Sequence, residues 1–230
     1  MSTSPAVDAL RLLVNEAARN EQQCGELLKA NMPVFGPLLS SRHANVPQRT
    51  TAEVTTTVGR VDIVVFVEAI GPSGSRKRAV VWELKAPQVF LFEVETSSRA
   101  KPTEDLTNAE NQLFHYVDQL RNDGSWKSDH SILSGDDVQF GGIIIGKEET
   151  LVQHSKSCPV DLTEARRLAG KANRVRREIY LERLELLTWS NVLELAPGHI
   201  SNMTIKSPSG AIQTAANTAV YGTTTVIQNL

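Results

Sequence analysis

The sequence predicts an α/β fold in which a mixed β-sheet is flanked by helices. Three observations carry that expectation. Apolar residues recur at helical spacing between Ala6 and Met32, β-branched residues crowd the stretch from Thr50 to Ala86, and helical and strand patterns alternate after Glu104.

The elements follow in order. Leu10, Leu13, Val14, Ala17 and Ala18, then Cys24, Leu27 and Leu28, predict one or two amphipathic helices, which Pro33 and Gly36-Pro37 should end. Ser40 to Gln48 has no period and reads as loop. TAEVTTTVGRVDIVVFVEAI reads as two strands with a bend at Gly59, GPSGSRKR as a hairpin connection, and AVVWELKA as the next strand. Together they predict a three-strand antiparallel meander. Pro87 to Thr107 is irregular, with VFLFEVE as a candidate edge strand. Glu104 to Arg121 is a helix with Leu106, Ala109, Leu113, Tyr116, Val117 and Leu120 on one face, ended by Asn122-Asp123-Gly124. GGIIIG is wholly apolar and belongs in the middle of the sheet. Asp161 caps a second helix reaching about Arg177, EIYLERLELLTW predicts another strand, and Trp189 to Leu195 a short helix. Residues 1–48 thus read as helices and loop packing on a core, 49–196 as the core, and 197–230 as a polar tail. That tail is flexible or engaged in assembly, where TAVYGTTTVIQ can pair as a strand.

Composition narrows the class. The chain has 230 residues, enough for a proper core without staples. Two cysteines cannot build a disulfide framework and suit a reducing cytosol. The N-terminal sequence lacks a secretory pattern, and no run approaches the ~18–20 apolar residues that span a bilayer. A soluble cytoplasmic protein is therefore expected. With 24 Lys+Arg against 26 Asp+Glu the net charge is −2, so any nucleic-acid site must be local rather than a global field.

The chemistry-bearing residues are Asp62, Glu83 and Lys85, followed by Gln112 and Tyr116. In a strand, positions two apart share a face, so Glu83 and Lys85 point one way while Trp82 and Leu84 enter the other layer. A hairpin can set Asp62 beside Glu83. Two carboxylates on adjacent strands repel unless a cation lies between them, and hard oxygen ligands suit Mg²⁺ or Mn²⁺. Such an ion polarises a phosphodiester and acidifies a bound water. Lys85 can orient or deprotonate that water and stabilise the growing charge on phosphorus. A half-exposed hairpin with both charges solvated is the bland alternative. Against it, AVVWELKAP is apolar at both parities, and charges in a strand covered on both faces are costly unless paired or metal-bound.

GRVDIVVF, VVWELKAP and NQLFHY resemble the Asp…(Asp/Glu)-x-Lys…Gln-x-x-x-Tyr signature of the PD-(D/E)XK nuclease superfamily. The resemblance implies a restriction-endonuclease-like αβββαβ core. It also implies that Asp62 and Glu83 are metal carboxylates, that Lys85 is the catalytic lysine, and that Gln112 and Tyr116 support the site and the substrate backbone. A narrower similarity, over roughly residues 20–196, is to the nuclease domain of Shedu bacterial defence proteins. It rests on EQQCGELLKANMP, where Met32 interrupts an expected Asn-Pro, and on ELKAPQVFLF, GGIIIGKEE and LLTWSNVLEL. The family's helix-borne glutamate implies Glu21 as a third metal ligand, against its reading as a surface carboxylate.

Arg167, Lys171 and Arg174 fall on one face of the later helix and form a stripe able to follow phosphates, against the ordinary reading of a solvated face. Arg76, Lys77 and Arg78 form a second basic group. His154 and Cys158 lack a second pair for zinc, His115 reads as surface, and Cys24 as core. The glycine-rich stretches lack the Lys-Ser/Thr of a phosphate loop, so no nucleotide cofactor is expected. The expectation is a Mg²⁺- or Mn²⁺-dependent DNA endonuclease of antiviral defence, working as a homo-oligomer of even order. Two alternatives stay open: a non-catalytic binding or assembly module on the same fold, and an RNA-directed nuclease.

Overall fold

The computed structural model describes residues 4–40, 61–71, 74–155, 157–180, 184–196, 204–206 and 212–214. Two strands, β1 (Ile63–Gly71) and β2 (Gly74–Leu84), pair antiparallel, with Ile63 opposite Trp82. β2 then pairs in parallel with β5 (Val138–Ile144), and β5 in parallel with β7 (Glu185–Leu187). The result is a mixed sheet of order β1-β2-β5-β7, in which the GGIIIG segment is internal as expected. The first strand of the expected meander, the bend at Gly59, the loop before Gln48 and the TAVYGTTTVIQ segment lie outside the described residues.

Pleating divides the core into two layers. Ile63, Val65, Val67, Val80, Trp82 and Leu84 face α1 (Pro5–Asn15), α2 (Glu21–Ala30), α3 (Met32–Ser40) and α7 (Trp189–Leu195). Val64, Phe66 and Val81 face the opposite layer, which includes α4 (Glu104–Asn122) and α6 (Leu162–Ile179). Glu83 and Asp62 share the parity of this second face. Gly142 lets the sheet close here, because a Cβ on it would collide with the Glu185 carbonyl and the Trp82 ring.

The helix ends follow capping chemistry. Thr103 Oγ1 accepts from the Leu106 amide, and Asp161 accepts from the Glu164 amide at 2.8 Å, as its place before α6 predicts. Asp123 ends α4 and caps α5 (Gly124–Asp129) through the Trp126 amide.

Three expectations need correction. Pro33 and Gly36-Pro37 do not end the helical region, because α3 runs through them. Pro33 sits in the first turn, where its missing N–H has no intrahelical partner, and only Pro37 breaks the ladder. A mid-helix proline costs about 3 kcal/mol. Burial of Met32, Phe35 and Leu39 at about 1.5–3 kcal/mol apiece exceeds that.

VFLFEVE is not an edge of the main sheet. β3 (Phe92–Thr96) is the middle strand of a separate sheet, between β4 (Arg99–Pro102) and β6 (Val152–Gln153). Of the strand expected over Glu178–Trp189, the described part is β7 alone, and Glu178 and Ile179 instead complete the last turn of α6. In the tail, β8 (Thr204–Lys206) and β9 (Ile212–Thr214) pair antiparallel. No helix among the described residues is long and apolar enough to cross a membrane.

One buried ion pair ties α4 to α6. Glu110, 5% exposed, accepts two hydrogen bonds from the Arg176 guanidinium and one from the Tyr180 hydroxyl. Removing one partner of such a pair leaves a charge without compensation, at a cost of about 3–5 kcal/mol. Arg176→Met should lower the urea midpoint accordingly, and adding Glu110→Leu should recover much of the loss. A double variant as unstable as the single one would show that the charge pair is not the source.

Candidate active site

The site forms where β2 ends. Past Leu84 the chain is held by three bonds: the Lys85 amide to the Ile144 carbonyl at 2.8 Å, the Trp189 indole to the Lys85 carbonyl at 2.7 Å, and the Gly146 amide to the Ala86 carbonyl at 3.2 Å. Asp62 immediately precedes β1. Its Oδ2 accepts from the Leu84 amide at 2.9 Å, so the carboxylate stands beside the final pleat of β2. Glu83 is only 2% exposed, and its Oε1 accepts from Lys85 Nζ at 2.5 Å. Its other oxygen, Oε2, is buried without a hydrogen-bond partner.

Glu21 arrives from the opposite end of the sequence. Asn20, buried before α2, donates to the Leu13 carbonyl and so joins α2 to the end of α1. Gly25 allows α2 to lie close on β2, since a Cβ there would meet the Leu84 side chain at 3.2 Å. One turn earlier, Glu21 Oε2 accepts from the Ala86 amide at 3.1 Å. Cys24, on the same helix, is fully buried, and burial chiefly pushes its thiol up to about 12, which makes it an inert core residue as expected.

The electrostatics mark these groups as one unit. Burial first, then Asp62, pushes the Glu83 carboxyl up to about 8, with Lys85 pulling against them. Glu21 is raised by burial, with Lys85 opposing and Asp62 adding. Burial alone would lower Lys85, but the adjacent Glu83 carboxylate outweighs it and holds the ammonium above its ordinary value. Lys85 and Glu83 thus shift each other as a coupled pair. Tyr116 is raised by burial and then by Glu83 and Asp62, so its hydroxyl lies within their field.

A cleft of about 560 Å³ opens over this unit, with Asp62, Glu21 and Lys85 in its wall. Glu83 is shut in behind Lys85. Arg19, Gln22 and Lys29 also line the cleft, and sequence reasoning missed all three. The available signal was the spacing of Glu21, Gly25 and Lys29, which share one face of α2. Trp189 was missed as well, as the residue that anchors the Lys85 carbonyl.

Among the residues expected in the site, the structure brings together Asp62, Glu83, Lys85 and Glu21, with Tyr116 nearby. Gln112 is exposed on α4, one turn before Tyr116, and neither lines the cleft. Arg167, Lys171 and Arg174 are exposed on α6, which packs on the small sheet, and none of them lines the cleft. Arg167 is engaged by Glu164 in the same helix at 2.5 Å.

The fit to a divalent ion can be judged from the donors. Among the described residues no three His, Cys, Asp or Glu side chains gather into an ion-holding group. Mg²⁺ needs fewer, since it commonly takes one or two carboxylates and keeps several waters. Asp62 and Glu83 would be that pair. The unpartnered Glu83 oxygen, and a carboxyl raised first by burial and then by Asp62, are both features a cation would relieve. The donor set fits. No protein-family model matches the chain, and no curated protein matches it.

Metal-free stability should reveal Glu83. A carboxyl that titrates near 4.5 when unfolded and near 8 when folded binds more protons in the native state across that window. Its contribution is fully present below pH 4.5 and is lost as pH rises through about 8. Glu83→Gln keeps the shape and removes the titration, so in EDTA its melting temperature should fall less across that range than the parent's. Parallel curves would show that Glu83 does not titrate there.

Proposed function

We propose that this chain is a divalent-metal-dependent nuclease of the PD-(D/E)XK type that hydrolyses DNA phosphodiester bonds in bacterial antiviral defence. The observation that carries the reading is the buried Glu83 carboxylate beside Asp62, with one oxygen unpartnered and Lys85 on the same strand face. Asp62 and Glu83 would hold Mg²⁺ or Mn²⁺, with Glu21 in reach of the same wall. Bound there, the ion supplies Lewis-acid polarisation of the phosphodiester and a more acidic water.

The chain's own residues do the rest. Lys85, protonated at neutral pH, turns its ammonium from Glu83 toward the phosphoryl oxygens and stabilises the charge that grows on them. Trp189 keeps the Lys85 backbone in place while the side chain moves. Arg19 and Lys29, at the two ends of α2, can neutralise neighbouring phosphates of the strand in the cleft. Those contacts carry no base sequence, which suits an enzyme whose specificity comes from elsewhere.

One observation favours a second reading. Lys85 already pairs with one oxygen of Glu83, as it would in a non-catalytic descendant that works by binding or assembly. Incubation of plasmid, linear DNA and RNA with Mg²⁺ or Mn²⁺, and with EDTA, separates the two. Asp62→Ala and Glu83→Ala should abolish metal-dependent DNA cleavage in folded protein and weaken metal binding by calorimetry. Lys85→Ala should retain metal and lose roughly 10²–10³-fold in rate. Cleavage of RNA alone would change the substrate class. A wild-type protein inert on every substrate would leave the binding module.

Assembly belongs to the same proposal. Cutting both strands of a duplex calls for two such sites, which a two-fold dimer or its multiple supplies. Light scattering at micromolar concentration should give an even multiple of the 25.2 kDa chain. A monomer with full nuclease activity would refute the assembly. Removing residues 201–230 should reduce the multiple, and an unchanged number of subunits would remove the tail from the interface.

A further inference from the structure

A second concavity lies between α6 and the β3–β4 hairpin. It measures about 440 Å³, within the usual size of a ligand pocket. Phe92 and Leu168, both essentially buried, take part in its lining, together with Pro102 and Ala172. At its mouth stand Val175 and Ile179, 44% and 67% exposed. Two branched apolar residues this open, four apart on a helix that is otherwise strongly charged, are not placed there by the core.

The polar lining has one sign. Arg99, Lys171 and Arg176 line the pocket, and among the described residues no carboxylate does. Two of the three are committed: Arg99 to Glu95 at 2.5 Å, and Arg176 to Glu110 and Tyr180. Lys171 has no carboxylate partner among the described residues. It precedes Val175 and Ile179 by four and eight positions, so the free ammonium and the exposed apolar pair form one stripe along the pocket.

We infer that this pocket binds a single-chain amphiphilic anion, with its hydrocarbon along Val175 and Ile179 and its acidic head on Lys171. The concave shape accepts a chain rather than a flat surface, and the uniform sign of the lining selects an anionic head over a cationic one. The site is separate from the carboxylate cleft and does not depend on the nuclease reading. Ligand burial here would cover two apolar side chains that the described residues leave exposed.

Titration calorimetry of the full chain tests this with decanoate, decanol and decyltrimethylammonium, each below its micelle concentration. Decanoate should bind saturably with a stoichiometry of one per chain and tighter than the other two. Lys171→Glu, an exposed substitution, should weaken decanoate at least about tenfold, the worth of a charge-assisted hydrogen bond, and leave decanol unchanged. Val175→Asp should weaken both. No saturable decanoate binding, or binding indifferent to both substitutions, would overturn the assignment. So would co-sedimentation with phosphatidylglycerol vesicles by a protein that ignores free decanoate, because the stripe would then serve a lipid surface.

Discussion

The arrangement at the end of β2 depends on one constraint: a carboxylate has to be held inside a sheet that is covered on both faces. Glu83 occupies the pleat between Val81, in the core, and Lys85, at the cleft. A charge so placed is costly unless something opposite in sign meets it. The neighbouring structure answers with Lys85 on one side and leaves the other oxygen open beside Asp62. The anchors around it, Ile144, Trp189 and Gly146, hold backbone rather than side chain. The backbone of this segment is thus fixed independently of the charged side chains, as the proposed site would require.

Position along the chain explains what the sequence made legible. The face shared by Glu83 and Lys85 follows from period two alone, and the opposite layer of Trp82 and Leu84 follows with it. The cap at Asp161, the helix from Glu104 and the internal place of GGIIIG are likewise local matters of pattern and capping. Glu21 was legible only through resemblance, because its place by Ala86 depends on α2 crossing β2 at Gly25, a contact between residues 65 apart in sequence. No periodicity encodes such a crossing.

The misreadings share a cause. Pro33 and Pro37 were read by their local cost, while α3 is decided by what Phe35 and Leu39 bury against Trp82 and its neighbours. Phe92–Thr96 was read by composition, which identifies a strand but not the sheet that receives it. The stripe of Arg167, Lys171 and Arg174 was read by helical phase, correctly as a face, yet phase does not say which way the face looks across the molecule. The helix that carries it packs on the small sheet, and the cations that line the cleft are Arg19, Lys29 and Lys85.

Two buried glutamates in the same molecule sharpen the distinction between structure and site. Glu110 has a guanidinium on both of its oxygens and a tyrosine hydroxyl besides, so it is complete, and nothing further can be asked of it. Its work is to join two helices. Glu83 is as deeply buried, yet it has a single ammonium, an unmatched oxygen and a second carboxylate for a neighbour. Replacing Asp62 or Glu83 by an apolar residue of similar size would remove that repulsion from the metal-free fold, so stability alone gives no reason to retain both. Under the proposed function, the divalent ion that the two carboxylates would hold offsets that repulsion. The deficit at Glu83 is one of positive charge, and that is why the chemistry is sought there rather than at Glu110.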